Sequence, residues 1–445
     1  MNTSLNIDFL KEVCSEISTG NSEIKKNYPG DSPERQPVQT VYGGAQLFNS
    51  GTIKKIGELA LRSMKAYGSD PLEFTESIGI GGDENYKKMI HAKVLNKIEK
   101  EAVEDFRIDF EDGFGIRSEE EEDKTAEFTA DEVVTAVNEN SLSPFIGIRI
   151  KTFSDEMMKR AVRTMDIFIT RLTEKSSGKL PDNFVITLPK VTNRKQVSAM
   201  VKILKELEKK LGLAEGSLKI ELMIETTQSI FDLNGKANLL PLVKEAEGRC
   251  IAVHFGVYDY TALCDITAKY QSMQHPVCDF ARHMMKVILA GTGIWLSDGA
   301  TNIMPVTVHK GDKLSDTQQR ENRAGIYRAW KISFNDIKHS LKNGFYQGWD
   351  LHPAQIPVRY AAVYDFFLEG LAQASDRLSN FIDKAAQATL AGDIFDDAAT
   401  GQGLLNYFLR AYNCGAVTEE EILKTGITES ELRGKSFLKI LENRK

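Results

Sequence analysis

A closed (β/α)8 barrel, with an N-terminal arm and a C-terminal helical extension, is the architecture this chain predicts. Three observations lead there. Eight short apolar runs alternate with helix-like spacers, which argues for a parallel sheet covered by helices. Eight is the number of strands that closes such a sheet. Three of the runs close on acids: Phe106-Arg107-Ile108-Asp109, Ile220-Glu221-Leu222-Met223-Ile224-Glu225 and Val253-His254-Phe255-Gly256-Val257-Tyr258-Asp259. Acids at the carboxyl ends of several parallel strands are how such a barrel builds a divalent-metal site.

Residues 1–37 are polar, with a turn-rich centre at Asn27-Tyr28-Pro29-Gly30-Asp31-Ser32-Pro33. They predict a short helix and an extended arm lying on the barrel or on a neighbour. The barrel is expected over residues 38–370. Its strands are expected at Thr40–Phe48, Phe106–Phe110, Phe145–Ile150, Phe184–Leu188, Leu218–Ile224, Ile251–Phe255, Gly293–Leu296 and Tyr346–Leu351. Ile53–Tyr67, Asp155–Lys175, Asn193–Leu211 and Thr317–Lys342 carry apolar residues three and four apart, the helical period. The acidic run Glu119–Asp123 reads as a solvated loop or a helix start. Residues 371–445 form the helical extension, and the helix-like texture already begins after Pro357. Val358–Gly370, Ala374–Ala391 and Gly401–Tyr412 read as helices with no strand between them. Thr418-Glu419-Glu420-Glu421 and Thr428-Glu429-Ser430-Glu431 carry N-cap patterns.

Composition narrows the function. The 445 residues are 42% hydrophobic and 27% charged, ordinary for a globular enzyme-sized core. A net charge of −7 offers no footprint for nucleic acid or an anionic membrane. No apolar run is long enough to span a bilayer. No basic patch and apolar core mark a signal peptide at Met1–Glu12. The five cysteines, Cys14, Cys250, Cys264, Cys278 and Cys414, show no metal spacing and read as reduced thiols of a cytoplasmic protein.

Each motif carries a chemical reading beside a structural one. Glu225 and Asp259 end buried strands at the barrel mouth, where they either bind a cation or form salt-bridged rim acids. Asp109, Glu111 and Asp112 share one turn. Their mutual repulsion can raise a pKa into the range of proton transfer. They equally suit the water shell of a metal, or an acidic loop paired with Arg107 and Arg117. Arg149, flanked by isoleucines, needs an anionic partner: a substrate carboxylate or enolate, or a rim acid. Lys190 either holds a carboxylate or pairs with Glu225; Schiff-base chemistry would need a depressed pKa. His352 lines the mouth or caps a loop, and His254 reads as a satisfied core side chain.

These residues resemble the citrate lyase β-subunit-like proteins of the HpcH/HpaI aldolase superfamily, related to malate synthase. The family's Asp-Leu-Glu-Asp-Ala is Asp109-Phe110-Glu111-Asp112-Gly113 here. Its Val-Arg-Ile-Asn-like run is Ile148-Arg149-Ile150-Lys151. Its Leu-Pro-Lys-Val stands unchanged at Leu188–Val191, and its Ile-Glu-Thr at Ile224-Glu225-Thr226. Gly-x-Glu-Asp-Leu becomes Gly256-Val257-Tyr258-Asp259-Tyr260, and Ile-His-Pro-x-Gln becomes Leu351-His352-Pro353-Ala354-Gln355. The chain departs from the pattern at Gly113, Tyr258 and Tyr260, and the two tyrosines predict a bulkier mouth.

The resemblance implies a TIM barrel in which Glu225 and Asp259 hold Mg2+, with Mn2+ as an alternative, and Arg149 faces the substrate carbonyl or enolate. It implies a carbon–carbon lyase, aldol or Claisen in type, acting on a 2-oxo acid or hydroxyacyl compound. Asp112 or Glu111 would shuttle the proton, with Asp109 beside them; Lys190 and His352 would bind substrate. The expected partner is a small carboxylic acid, and the expected assembly a homo-oligomer. A coenzyme A thioester is a second substrate class, for which the chain offers no basic, adenine-sized signature. Two rival readings are a phosphoenolpyruvate/pyruvate phosphotransferase-like enzyme and a non-catalytic metal-binding barrel.

Overall fold

A computed structural model describes residues 4–434 and 440, apart from 312, 384–388, 392–393 and 397. Eight parallel strands close into a barrel in chain order. They are β1 (Gln39–Gly44), β2 (Asp105–Asp109), β3 (Phe145–Arg149), β4 (Phe184–Leu188), β5 (Lys219–Ile224), β6 (Cys250–Phe255), β7 (Trp295–Ala300) and β8 (Gln347–Asp350). The pairing of β1 with β8, Thr40 opposite Trp349, closes the ring.

Alternation along each strand divides the side chains into two sets. Phe106, Ile108, Ile146, Ile148, Ile186 and Leu222 are buried in the hydrophobic core. The alternate positions are polar and meet across the lumen. Arg107 of β2 donates to Glu221 of β5, and Tyr42 of β1 meets His254 of β6; neither pair lies on neighbouring strands. The lumen is therefore filled by a charged network, not by the layers of branched apolar residues usual in this architecture. Arg107 also bonds Asp105, and Glu221 accepts from Thr187 Oγ1 at 2.8 Å. The sequence expectation of Arg107 as a partner for the acidic loop is corrected: Arg107 sits on the inward parity, below the mouth. Arg117 pairs instead with Glu121 on the surface.

Helices connect the strands. Thr52–Tyr67, Arg194–Leu211 and Asp316–Lys342 lie within a residue of expectation, and Met158–Lys175 begins three residues late. Asn193 with Gln196, and Ser315 with Gln318, close capping boxes that fix two of these starts. The run Glu119–Asp123 is a helix start: the helix Glu119–Asn138 opens there, with Ser118 accepting the Glu121 N–H. Four glutamates in that first turn suit the positive end of the helix dipole.

Three expectations need correction. The first strand ends at Gly44, and Ala45–Leu47 is a 3-10 turn. The seventh strand spans Trp295–Ala300 and is longer than Gly293–Leu296, because the polar stretch Ser297-Asp298-Gly299 continues the sheet. Its Asp298 is fully buried and accepts from Arg282 Nε at 2.8 Å, a partner that the strand itself does not reveal. After the barrel, a small antiparallel pair, β9 (Thr389–Ala391) and β10 (Ile394–Asp396), interrupts the expected all-helical tail.

Outside the barrel, the helix Ile7–Asn27 buries no side chain. The arm that follows lies on the amino-terminal end of the barrel. Gly30 N donates to Gly291 O, and Arg35 pairs with Glu101 and Glu104. The helix Ala398–Asn413 packs beside it, with Arg410 donating to Gln36 and Asp31. Thr418 caps Glu419–Leu423 in a full capping box, as its sequence predicts. Among the described residues no helix is long and apolar enough to cross a membrane.

Candidate active site

At the carboxyl end of the barrel a cleft of about 350 Å3 is lined by Tyr42, Asp112, Arg149, Glu225, Asp259 and Trp349, among others. The motifs build it one loop at a time. Asp109 ends β2 and organises its own turn: Oδ1 accepts the Glu111 N–H at 2.9 Å and Oδ2 the Gly113 N–H at 2.7 Å. A Cβ on residue 113 would lie 2.6 Å from that same Oδ2, which accounts for the glycine at this position.

Arg149 stands opposite Asp109 in the β2–β3 register and grips it with both arms of the guanidinium, at 2.7 and 2.5 Å. Its Nη1 lies 3.3 Å from Glu111 and 3.4 Å from Asp112, and its charge rests 4.8 Å above the Tyr42 ring. Arg149 thus has rim acids as partners and still faces the cleft that holds Glu225 and Asp259.

Lys190 adopts a left-handed backbone, φ 49°. That turn aims its N–H at Glu225 Oε1, 2.6 Å away, while its ammonium reaches Glu111 at 2.5 Å and Asp259 at 3.3 Å. Burial lowers the Lys190 pKa, but the charges of Glu225 and Glu111 outweigh it and raise the group above its ordinary value. That direction favours the ammonium form, which suits a carboxylate-binding role. Thr226 donates to Val191 O at 2.6 Å, tying the β4 and β5 loops together.

Glu225 is buried. Burial pushes its carboxyl up to about 8, with the charges of Asp259 and Glu111 adding and Lys190 opposing. Glu111 is pushed up to about 7 by burial; the hydrogen bond and charge of Asp112 add to this, against Arg149 and Lys190. For Asp112 burial acts in the opposite sense to its neighbours, and Arg149, Glu111 and Lys190 prevail to hold it below the usual carboxylate range. The two form a linked pair, with the proton on Glu111 near neutrality and Asp112 turned to the cleft.

Five carboxylates thus surround two cations. Among the described residues no group of three or more His, Cys, Asp or Glu is preassembled to hold a metal ion. The donor set still fits Mg2+ or Mn2+, which take one or two carboxylates and fill the rest with water and substrate. Glu225 follows the end of β5, and Asp259 lies in the first turn of the helix Val257–Leu263 after β6; the two would supply oxygen ligands, and a carboxyl pushed up to about 8 by burial, with the charges of Asp259 and Glu111 adding, is the kind of group a divalent ion relieves.

The remaining motif residues divide between the cleft and its supports. His352 Nδ1 accepts the Ala354 N–H, and Gln355 Oε1 accepts from Leu351 and His352, so the His-Pro-Ala-Gln run caps the turn after β8. Burial lowers the His352 pKa. Tyr258 lines the cleft; its hydroxyl donates to Ala300 O and accepts from Asn302 N. Tyr260 does not close the mouth: it is buried against Phe255, at 5.3 Å between ring centroids. Gly256 packs against the acid, where a Cβ would lie 2.3 Å from Glu225 Oε2. Sequence reasoning missed Tyr42 and Trp349. The signal for both was their inward parity on β1 and β8, two residues beyond Thr40 and Gln347.

The model of a family described as Domain of unknown function (DUF6986) matches residues 17–440. No curated protein matches the chain. Among solved structures, a citrate lyase from Burkholderia xenovorans LB400 is similar with a TM-score of 0.55 at 17% identity, over 89% of this chain and 99% of that one. Malate synthase of Haloferax volcanii is 15% identical in its lead(II) complex, with a TM-score of 0.45 over 91% of this chain and 96% of that one. At these identities the likeness to the citrate lyase is one of fold.

Proposed function

The chain belongs to the DUF6986 family, and we propose that it is a carbon–carbon lyase cleaving or condensing a 2-oxo acid or hydroxyacyl substrate through an enolate, with Mg2+ or Mn2+ as cofactor. Fold alone does not carry this reading, since barrels of this type host many chemistries. The observation that carries it is the convergence at one cleft of an acid pair suited to a divalent ion, a fixed guanidinium, and the neighbouring Glu111–Asp112 pair, in which burial pushes Glu111 up to about 7 while Asp112 is held low.

Glu225 and Asp259 would hold the ion, which when bound would supply Lewis-acid charge to an enolate-forming reaction. Arg149 adds a preorganised donor. Its grip on Asp109 fixes the guanidinium before substrate arrives, so no reorganisation is needed as charge develops. Asp112 takes the proton of the cleaving hydroxyl and shares it with Glu111, and the same pair returns a proton to the enolate carbon. Lys190 orients a substrate carboxylate while it restrains the Glu111–Asp112 pair.

The test is calorimetry of Mg2+ on Glu225→Gln and Asp259→Asn, paired with pyruvate or glyoxylate release from a panel of hydroxy acids. Loss of affinity in both variants is expected. Unchanged affinity in both refutes the metal assignment, and no release by the Mg2+-loaded protein refutes the lyase.

A further inference from the structure

We propose that Tyr42 and Trp349 form an aromatic wall that selects a 2-oxo acid bearing a bulky apolar or aryl substituent. The inference rests on the oxo-acid reading above and adds what that acid carries. The two residues stand on paired strands with ring centroids 4.7 Å apart. Both send their polar atoms down to one buried acceptor. Trp349 Nε1 donates to His254 Nδ1 at 3.0 Å, and the Tyr42 hydroxyl lies 3.3 Å from the same nitrogen. An indole N–H only donates, so that nitrogen accepts and the ring proton of His254 sits on Nε2, 3.2 Å from Glu221 Oε1. Glu221 is in turn gripped by Arg107.

The consequence is an apolar face. With their polar ends engaged inside the barrel, the rings offer the cleft mainly carbon. Leu351, 42% exposed, extends that surface at the rim. Asp112, Arg149, Glu225 and Asp259 supply the charged part of the lining. The cleft is thus divided: a charged part for the carboxylate and carbonyl oxygens, and a rigid apolar part beside it. A three-carbon oxo acid would leave the apolar part of a cleft of about 350 Å3 against water. An aryl or branched alkyl group would cover it, and burial of apolar surface against a preformed wall favours binding. The wall also abuts the electrophile, since Arg149 lies 4.8 Å over the Tyr42 ring.

The experiment is calorimetric titration of the full chain, in Mg2+, with pyruvate, 4-methyl-2-oxopentanoate and phenylpyruvate. Phenylpyruvate is expected to bind at least about tenfold tighter than pyruvate, with the branched acid between. Trp349→Phe should retain most of that preference. Trp349→Ala should bring the ratio close to one, through a loss of phenylpyruvate affinity that exceeds any change for pyruvate. If Trp349→Ala melts early, Trp349→Leu, which retains bulk without a ring, replaces it. Equal affinities in the unsubstituted protein, or a preference that survives the loss of the ring, overturn the wall while the oxo-acid reading stands. Failure of all three acids to bind overturns both.

Discussion

Arg107→Met tests whether the lumen is held by charge pairing. Arg107 is fully buried between two buried acids. It donates to Glu221 at 3.0 and 2.5 Å, bonds Asp105, and donates to Phe106 O at 3.2 Å. Without it, Glu221 retains Thr187 and the His254 contact, and Asp105 retains Thr40. Breaking a buried pair by removing one partner costs about 3–5 kcal/mol, chiefly through the charge left behind. Two acids are left here, so the upper half of that range is expected, with a fall in melting temperature of about 5 °C for a chain of this size. The pH dependence fixes the mechanism. Burial opposes it, but Arg107 and His254 hold Glu221 below its ordinary value in the folded protein. Its stabilisation is therefore present above the unfolded carboxylate pKa and is lost as pH falls. In the variant the Arg107 part of that depression is gone, and burial works against the charged group above about pH 4.3 with only His254 and Thr187 left to oppose it. The gap between the two proteins should be widest near pH 7 and narrow toward pH 4, and Glu221→Gln should restore part of the loss. Urea melts at both pH values decide it: a loss under about 1 kcal/mol, or one equal at the two values, would refute the reasoning.

Three further outcomes are expected. Gly256→Ala places a Cβ 2.3 Å from Glu225 Oε2 and 2.5 Å from its Cβ; Mg2+ affinity should fall at least about tenfold with a stability loss of about 1–3 kcal/mol, read by calorimetry and melting. Tyr258→Phe removes the hydroxyl that joins Ala300 O to Asn302 N; a loss of about 1 kcal/mol and faster amide exchange at Asn302 should follow. Arg149→Lys loses the planar fork that holds Asp109, and kcat of the proposed lyase should fall on the order of 10²-fold while Mg2+ still binds, as steady-state kinetics and calorimetry would show.

Strand order and closure were legible because Ile146-Gly147-Ile148-Arg149 and its counterparts announce buried strands with one chemically distinct side chain at the end. The acids of the mouth were legible for the same reason. What the sequence concealed was the third dimension of alternation. Arg107 looked like a neighbour of Glu111 because both lie within one short run, yet a pitch of two residues per layer sets it below the mouth, against Glu221 from three strands away. Tyr42 and Trp349 escaped notice since aromatic residues in strands ordinarily read as core, and only their shared acceptor on β6 reveals their direction. His352 showed the converse: a conspicuous histidine whose ring nitrogen is used by the backbone of its own turn.

The helix Ile7–Asn27 stands apart from all of this. Ile7, Phe9, Ile17 and Ile24 are each at least half exposed, and none of its side chains is buried. Its helicity rests on local terms: the Asn6 cap, Asp8 in the first turn, and Lys25 and Lys26 in the last. At this length such terms leave a helix marginal in water, and Gly20 weakens it by about 1 kcal/mol more. The segment will open independently of the barrel and will offer proteases their first cut. The backbone bond from Gly30 to Gly291 marks where its independence ends. Cleavage before that point should release a peptide of the first two dozen or so residues and leave the melting of the barrel unchanged.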